Sequence, residues 1–159
     1  MFMNSEIREY VEKDRSQLLE CILELQEYER KFTSRKKPGK DVAESYLSFI
    51  LRRRKERSGN LFISEVDGKV VGFASAWINE DSELTEYPEK YVYFSDLLVK
   101  SDYRRKGLAK KLVEKVIEFA SSKEAKRIKV ETLAKNKPIQ ELLKSFGFEQ
   151  YEIAWDLNL

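Results

Sequence analysis

The residues best suited to chemistry lie together between Asp96 and Leu112, in the run Asp-Leu-Leu-Val-Lys-Ser-Asp-Tyr-Arg-Arg-Lys-Gly-Leu-Ala-Lys-Lys-Leu. An apolar, β-rich stretch stops at Val99, a basic turn with one glycine follows, and helical periodicity starts at Leu108. At such a junction, successive N–H groups of the turn and the helix N-terminus converge, and the helix dipole favours negative charge there. Arg104, Arg105 and Lys106 add full positive charge, while the small residues Gly107 and Ala109 let an anion approach the backbone. This is the chemistry of a pyrophosphate cradle. The familiar nucleotide loops do not fit, because they need three glycines, or Gly, Lys and Ser/Thr at fixed spacing. A basic strand-to-helix turn in an ordinary α/β protein has the same local signature.

Composition removes most other chemistry. The 159 residues include 30 Lys plus Arg, 28 Asp plus Glu, one Cys and no His. Without His there is no Ser-His-Asp or Cys-His machinery, no imidazole base and no His-ligated metal. A single cysteine, Cys21, allows neither an internal disulfide nor a Cys-rich zinc site. Catalysis must therefore use carboxylates, Tyr, Lys, Arg or backbone groups, and no metal is expected. A net charge of +2 makes no case for a polyanion partner. No apolar run reaches 18 residues, and Met1-Phe2-Met3-Asn4 leads into charged sequence unlike a signal peptide. The expectation is a cytoplasmic protein with no membrane or nucleic-acid partner.

Several elements must position the turn. Ser5 to Val11 alternates weakly as a first strand. Asp14 or Ser16 can cap a helix whose stripe runs Leu18, Ile22, Leu25, Tyr28 and Phe32. Arg35 to Gly39 breaks it, and Asp41 can cap a second helix with Ala43, Tyr46, Leu47 and Ile50 on one side. Leu61 to Val66 and Val70 to Ile78 read as a hairpin joined by Asp67-Gly68. Asn79 to Glu89 is an acidic loop and Tyr91 to Val99 a buried strand. A helix from Gly107 to about Ser121 has a clear apolar face. Arg127 to Leu133 predicts a strand, Pro138 opens a helix that Gly147 stops, and Phe148 to Leu157 predicts one or two final strands. The fold class is therefore mixed α/β, in the order β-α-α-β-β-β-α-β-α-β, as one domain over residues 1–159.

The pattern Arg104-x-x-Gly107-x-Ala109 resembles the signature of the GNAT superfamily of acetyl-CoA-dependent N-acetyltransferases. The strand Asp96 to Val99 before it is similar to that family's, as is the later combination of Asn136, Pro138-Ile139 and Leu143-x-x-x-Gly147-Phe148. The resemblance implies a GNAT-like fold, with a central bent mixed sheet flanked by helices, and acetyl-CoA as acetyl donor. It also implies cofactor roles. Leu97, Leu98 and Val99 would run beside the pantetheine arm, with backbone groups of Leu97 and Val99 bonding it. Arg104, Arg105, Lys106, Gly107, Leu108, Ala109 and Lys110 would hold the pyrophosphate. Asn136 would bond the cofactor, and the helix carrying Leu143 would pack against its arm.

Acyl transfer to an amine needs a base, a donor to the thioester oxygen and, at the end, a proton for the thiolate. A strand N–H near Leu97 or Leu98 is the donor expected. Many members of the family carry a Tyr general acid where this chain has Leu143, which leaves three routes: another Tyr (Tyr93, Tyr103 or Tyr151), water, or lost activity. For the base, Asp96 would lie half buried on the face of Val92, Phe94 and Leu98 if alternation is regular. Relatives resembling polyamine acetyltransferases have Glu just before it, where this chain has Ser95. Glu131 on the next strand is a second candidate. Cys21 falls on an amphipathic helix, so direct attack by the amine is expected rather than an acetyl-enzyme. Glu80, Asp81, Glu83, Glu86 and Glu89 could steer a small cationic amine. A protein N-terminus or lysine is the alternative acceptor. The alternative outside enzymes is a CoA-binding regulatory or RNA-associated module, for which Arg35 to Lys37 and Arg52 to Arg57 would be the contact. A homodimer is left open.

Overall fold

The computed structural model describes residues 4–159, so Met1 to Met3, part of the start read as unlike a signal peptide, lie outside the described residues. The elements are β1 (Ser5–Glu9), α1 (Arg15–Arg30), α2 (Gly39–Glu56), β2 (Asn60–Val66), β3 (Lys69–Asn79), β4 (Tyr91–Val99), α3 (Leu108–Ser122), β5 (Ile128–Val130) and α4 (Lys137–Ser145). They form one sheet in the order β1-β2-β3-β4-β5, antiparallel except for β4 and β5, which run parallel across the α3 crossover. The Asp67-Gly68 turn closes the β2–β3 hairpin with both residues at positive φ, 48° and 79°, as the two-residue turn requires. The mixed α/β class and its element order hold up to α4. Beyond it the expected final strands over Phe148 to Leu157 do not form, and no strand follows Ser145 among the described residues.

The sheet is apolar on both faces, so it carries two cores. On one face, α3 lays Leu108, Leu112, Val113, Val116 and Phe119 over Val71, Ala74, Val92, Phe94 and Val99. On the other, α1 and α2 bring Leu18, Ile22, Leu25, Leu47 and Ile50 onto Leu61, Ile63, Val70, Phe73 and Leu98. Cys21 sits fully buried in this second core, where burial pushes its thiol up to about 12. It is a packing residue. Asp14 stands at the N-cap position of α1 as expected, but its side chain makes no cap bond there. Its carboxylate accepts the Val11 N–H at 3.0 Å and both Arg8 guanidinium nitrogens at 2.7 and 2.8 Å, pinning β1 to the start of the helix layer. α2 likewise starts at Gly39, before Asp41, with the Gly39 N–H donating to Glu27 at 2.7 Å.

Two details of β3 and β4 shape the site. At Gly72 a Cβ would stand 2.5 Å from the Leu98 carbonyl oxygen and 3.2 Å from Val99 Cα, so the two strands approach only because the side chain is absent. Gly72→Val should cost about 3 kcal/mol of folding stability through overpacking, read as a lowered denaturant midpoint; an unchanged midpoint would contradict the close approach. The second detail is a bulge. Ser75 pairs with Asp96 but Ala76 pairs with Phe94, leaving Ser95 without a partner on β3. The extra residue reverses side-chain parity along β4. Val92 and Phe94 face α3, whereas Leu98 faces the α1–α2 core and Asp96 turns toward α2 with it.

Candidate active site

β5 pairs with β4 only at Val92, Tyr93 and Phe94, through Ile128, Lys129 and Val130. Beyond Phe94 the strands part, and the free edge of β4 from Ser95 to Val99 forms one wall of a cleft of about 310 Å³. Its other walls are Val130 to Leu133, Asn136, Ile139 and Leu142 on one side and Leu25, Tyr28 and Glu29 of α1 on the other. The Lys100 N–H donates to Val71 on β3 at 2.7 Å. By the two-residue alternation of a strand, Leu98 then also faces β3, and the backbone groups of Leu97 and Val99 face the cleft. The Val99 carbonyl does so, accepting Arg104 Nε at 2.9 Å.

The basic turn closes the end of this cleft. Arg105 has φ 61° and Gly107 φ 79°, which folds the chain sharply into α3. Among the described residues, the N–H groups of Arg105 through Lys110 donate to no backbone acceptor; the first helical bond is Lys111 N–H to Gly107 at 3.1 Å. A Cβ at Gly107 would find no atom within 4 Å. These donors, beside the open space at Gly107, make a site for an anion. Arg104 does not aim at that space. Its guanidinium lies 4.7 Å from the Tyr28 ring centroid and 3.6 Å from Glu24, so it braces the turn against α1. Arg105, Lys106 and Lys110 are exposed on the rim, and Leu108 is buried beneath it.

Carboxylates gather farther along β4. Asp96 is buried, with Tyr46 Oη of α2 donating to one oxygen at 2.7 Å and Ser75 Oγ donating to the other. It is more buried than expected and lies on the opposite face from Val92 and Phe94, because of the Ser95 bulge. Burial raises its pKa, an effect that the hydroxyl donors of Ser75 and Tyr46 oppose only in part. Burial and the neighbouring Asp96 charge push the Tyr46 phenol up in turn. Glu29 and Glu131 also line the cleft; Glu29 pairs with Lys36 at 2.6 Å, and Glu131 lies 3.8 Å from Lys129.

Other expected residues fall elsewhere. Leu143 is buried in the α3 core, and α4 meets the cleft through Ile139 and Leu142, one helical face over. Asn136 lines the cleft, 3.5 Å from Tyr28 Oη. Tyr151 is exposed away from the cleft, beside Arg127. Tyr103 packs on the α3 core under Lys106. Tyr93, whose phenol burial and the nearby Glu131 push up to about 12, lines a neighbouring cleft of about 250 Å³ with Phe49, Arg53, Arg57, Trp77, Asn79 and Asp81. Sequence reading missed Tyr28, Glu29 and Tyr46 as site residues. The signal for the two tyrosines was a phenol at 28 and another at 46 within otherwise apolar helix stripes, each with a hydroxyl that needs a partner.

Comparison with known proteins points the same way. Residues 22–148 match the acetyltransferase (GNAT) family. The chain is 29% identical over 119 residues to an uncharacterized N-acetyltransferase of Methanocaldococcus jannaschii, covering 72% of this chain and 48% of that one. It is 29% identical over 91 residues to an aminoglycoside N(6′)-acetyltransferase type 1 of Salmonella typhimurium, covering 57% of this chain and 63% of the relative. The chain thus spans about half the length of the first of these relatives and under two thirds of the second. Its fold is similar to that of an aminoglycoside N-acetyltransferase, AAC(6′)-Iy, solved in complex with CoA, with a TM-score of 0.74, 20% identity and coverage of 100% of this chain and 97% of that one.

Proposed function

Because the chain belongs to the GNAT acetyltransferase family, we propose that it transfers the acetyl group of acetyl-CoA to a primary amine, a small cationic one, by direct attack. The observation that carries this reading is one continuous cleft with six free N–H donors beside it at one end and the carboxylates of Glu29, Asp96 and Glu131 lining it. The residues fit the donor. Arg105 to Lys110 would take the pyrophosphate on their N–H groups, the free edge of β4 at Leu97 and Val99 would bond the pantetheine amides, and Ile139 and Leu142 would pack on the arm. Bound there, acetyl-CoA supplies an activated thioester.

This chain's residues then do the rest. The ammonium of the acceptor meets three carboxylates, and Asp96 takes its proton as general base, a role its raised pKa suits. The neutral amine attacks the thioester carbon. The Leu97 N–H, on the cleft side of β4, stabilises the charge that develops on the carbonyl oxygen. As the tetrahedral adduct collapses, its nitrogen gives up its second proton to water, the C–S bond breaks and the departing thiolate of CoA takes a proton from water; the ordinary thiol pKa of about 8.5 makes this last the least demanding step. Tyr151, too far out, has no part in it. The same reading covers one catalytic domain over residues 1–159 in the cytoplasm; among the described residues no helix is long and apolar enough to cross a membrane.

The basic runs favour a small acceptor over RNA, because they are engaged within the chain. Arg35 pairs with Asp156, Lys36 with Glu29, Arg54 with Glu9 at 3.8 Å and Arg57 with Asp81 at 3.6 Å, while Arg53 lies over Phe49. In the acidic loop Asp81 and Glu89 are paired, with Arg57 and Arg127, but Glu80, Glu83 and Glu86 are exposed and form no ion pair among the described residues. Thiol release measured across polyamines, aminoglycosides, peptides with a free N-terminus and lysine peptides tests the reading. Turnover of a cationic amine is expected. Tight acetyl-CoA binding with no turnover of any amine would instead support a CoA-binding module. Reversing the loop charges, with Glu83→Lys and Glu86→Lys together, should raise KM for a cationic acceptor severalfold at low salt and less at high salt. An unchanged KM sinks the steering role.

A further inference from the structure

The acceptor end of the cleft already holds an ammonium group. Lys36 Nζ lies 2.6 Å from Glu29, one of the three carboxylates that meet the acceptor in the proposed reaction. Glu29 stands close enough to the base for its charge to act on both Asp96 and Tyr46, helping to hold their protons. The loop that carries Lys36, between α1 and α2, folds back along α1. Gln26 Nε2 donates to the Lys37 carbonyl at 2.9 Å, and the Gly39 N–H donates to Glu27 at 2.7 Å. These bonds set Lys36 beside the last turns of α1, where it is half-buried. Two other lysines stand near the cleft. Lys31 lies 5.6 Å from the Tyr28 ring centroid, on the ring that Arg104 of the basic turn also covers. Lys129 is held on β5 between Glu131 at 3.8 Å and Glu152 at 3.5 Å. Lys36 is paired instead with Glu29, whose charge acts on the base.

We propose that Lys36 is a self-acetylation site, an inference that rests on the cleft holding acetyl-CoA as proposed. With no acceptor bound, the Lys36 amine takes the acetyl group itself. Its ammonium occupies the carboxylate that an acceptor would otherwise meet, so it stands in the acceptor's place by charge and by position. The flexible four-carbon stem of a lysine lets the nitrogen swing from Glu29 toward the thioester. Tethered to the chain, the amine acts at an effective concentration in the millimolar range or above. Asp96 takes one proton from the ammonium, and the neutral nitrogen attacks the thioester carbon. The C–N bond forms, the nitrogen gives up its second proton to water, and the C–S bond breaks. The thiolate of CoA departs with the bonding pair and takes a proton from water. The product, Nε-acetyl-lysine, is neutral. Glu29 then has no internal cation to pair with and is open to the ammonium of a cationic acceptor, so the modification primes the site for turnover.

Peptides of the full chain are mapped by mass spectrometry as purified and after mixing with one equivalent of acetyl-CoA in the absence of any amine. One acetyl group on Lys36 is expected, gained at a first-order rate that does not change with protein concentration, as transfer within one chain requires. Asp96→Asn should slow that labelling about 100-fold, while the background on the exposed Lys40 stays as it was. Lys36→Gln, neutral as the acetylated side chain is, should lower KM for a cationic amine severalfold, and Lys36→Arg, which keeps the charge, should not. Lys36 left unmodified in a protein that binds acetyl-CoA and turns over an amine overturns self-acetylation and leaves the acetyltransferase reading standing. A protein that binds no acetyl-CoA overturns both. Labelling of Lys36 no faster than of Lys40, or at a rate that rises with protein concentration, also overturns the proposal, and an unchanged KM in Lys36→Gln removes the priming role.

Discussion

Gly107→Glu should raise the dissociation constant for acetyl-CoA at least about a hundredfold, roughly 2.7 kcal/mol, while the protein stays folded. The two effects separate because of where the side chain would go. A Cβ at residue 107 meets no protein atom within 4 Å, so a larger group enters open space beside the turn whose N–H groups have no backbone acceptor. A carboxylate there competes with the pyrophosphate for the same donors and repels its charge. The folding cost is modest. A non-glycine residue at φ 79° is strained by about 1–2 kcal/mol, but an anion at the N-terminus of α3 recovers about 0.3–1 kcal/mol. Titration calorimetry and thermal melting read the two separately. Gly107→Ala is the control: it keeps most of the strain, fills little of the space and should change affinity only a few fold. An unchanged affinity in Gly107→Glu would refute the cradle.

Asp96→Asn should lower kcat/KM by about 100- to 1,000-fold and leave acetyl-CoA affinity unchanged, since Asp96 contacts Tyr46 and Ser75 rather than the turn. It should also stabilise the fold at neutral pH. Burial raises the Asp96 pKa above that of the unfolded chain, so the folded protein holds this proton more tightly. The stability that this contributes is complete below the unfolded value of about 3.9 and is lost as pH rises through the raised native pKa. Asparagine never ionises, so the variant's advantage in Tm grows with pH and vanishes in acid. The parent rate should climb with pH through the same ionisation, a limb that Asp96→Asn lacks. Tyr46→Phe removes one donor to the carboxylate and should move that limb to higher pH with kcat on the plateau largely kept, the mark of a positioning residue. Undiminished kcat/KM in Asp96→Asn would remove Asp96 from the mechanism.

A residue that costs stability at working pH while lining the cleft is the usual compromise of an active site. Here the compromise rests on one inserted residue. Without the Ser95 bulge, regular alternation would put Asp96 beside Phe94 under α3, with no hydroxyl partner. With it, the carboxylate reaches Tyr46 and Ser75. The bulge also falls where β5 departs from β4, so the same stretch of strand frees its edge and turns its acid.

Local chemistry was readable from the chain alone: the strand, turn and helix around Gly107, the Asp67-Gly68 hairpin, the apolar face of α3 and the Pro138 to Gly147 helix each depend on residues close in sequence. Backbone donors left free by a turn, a glycine at positive φ and a 3.6-residue stripe are set by neighbours within a few positions. The tertiary structure decided what depends on distant residues. Strand register is fixed across β3 and β4, so the parity of Asp96 could not be read from β4 alone. Tyr28, Glu29 and Tyr46 joined the site because α1 and α2 pack on the sheet beside it, some 50 to 70 positions away in sequence. The terminal segment shows the same division. Its alternation marks a strand, yet no strand forms there, because pairing is decided by the assembled sheet and not by the segment's own pattern.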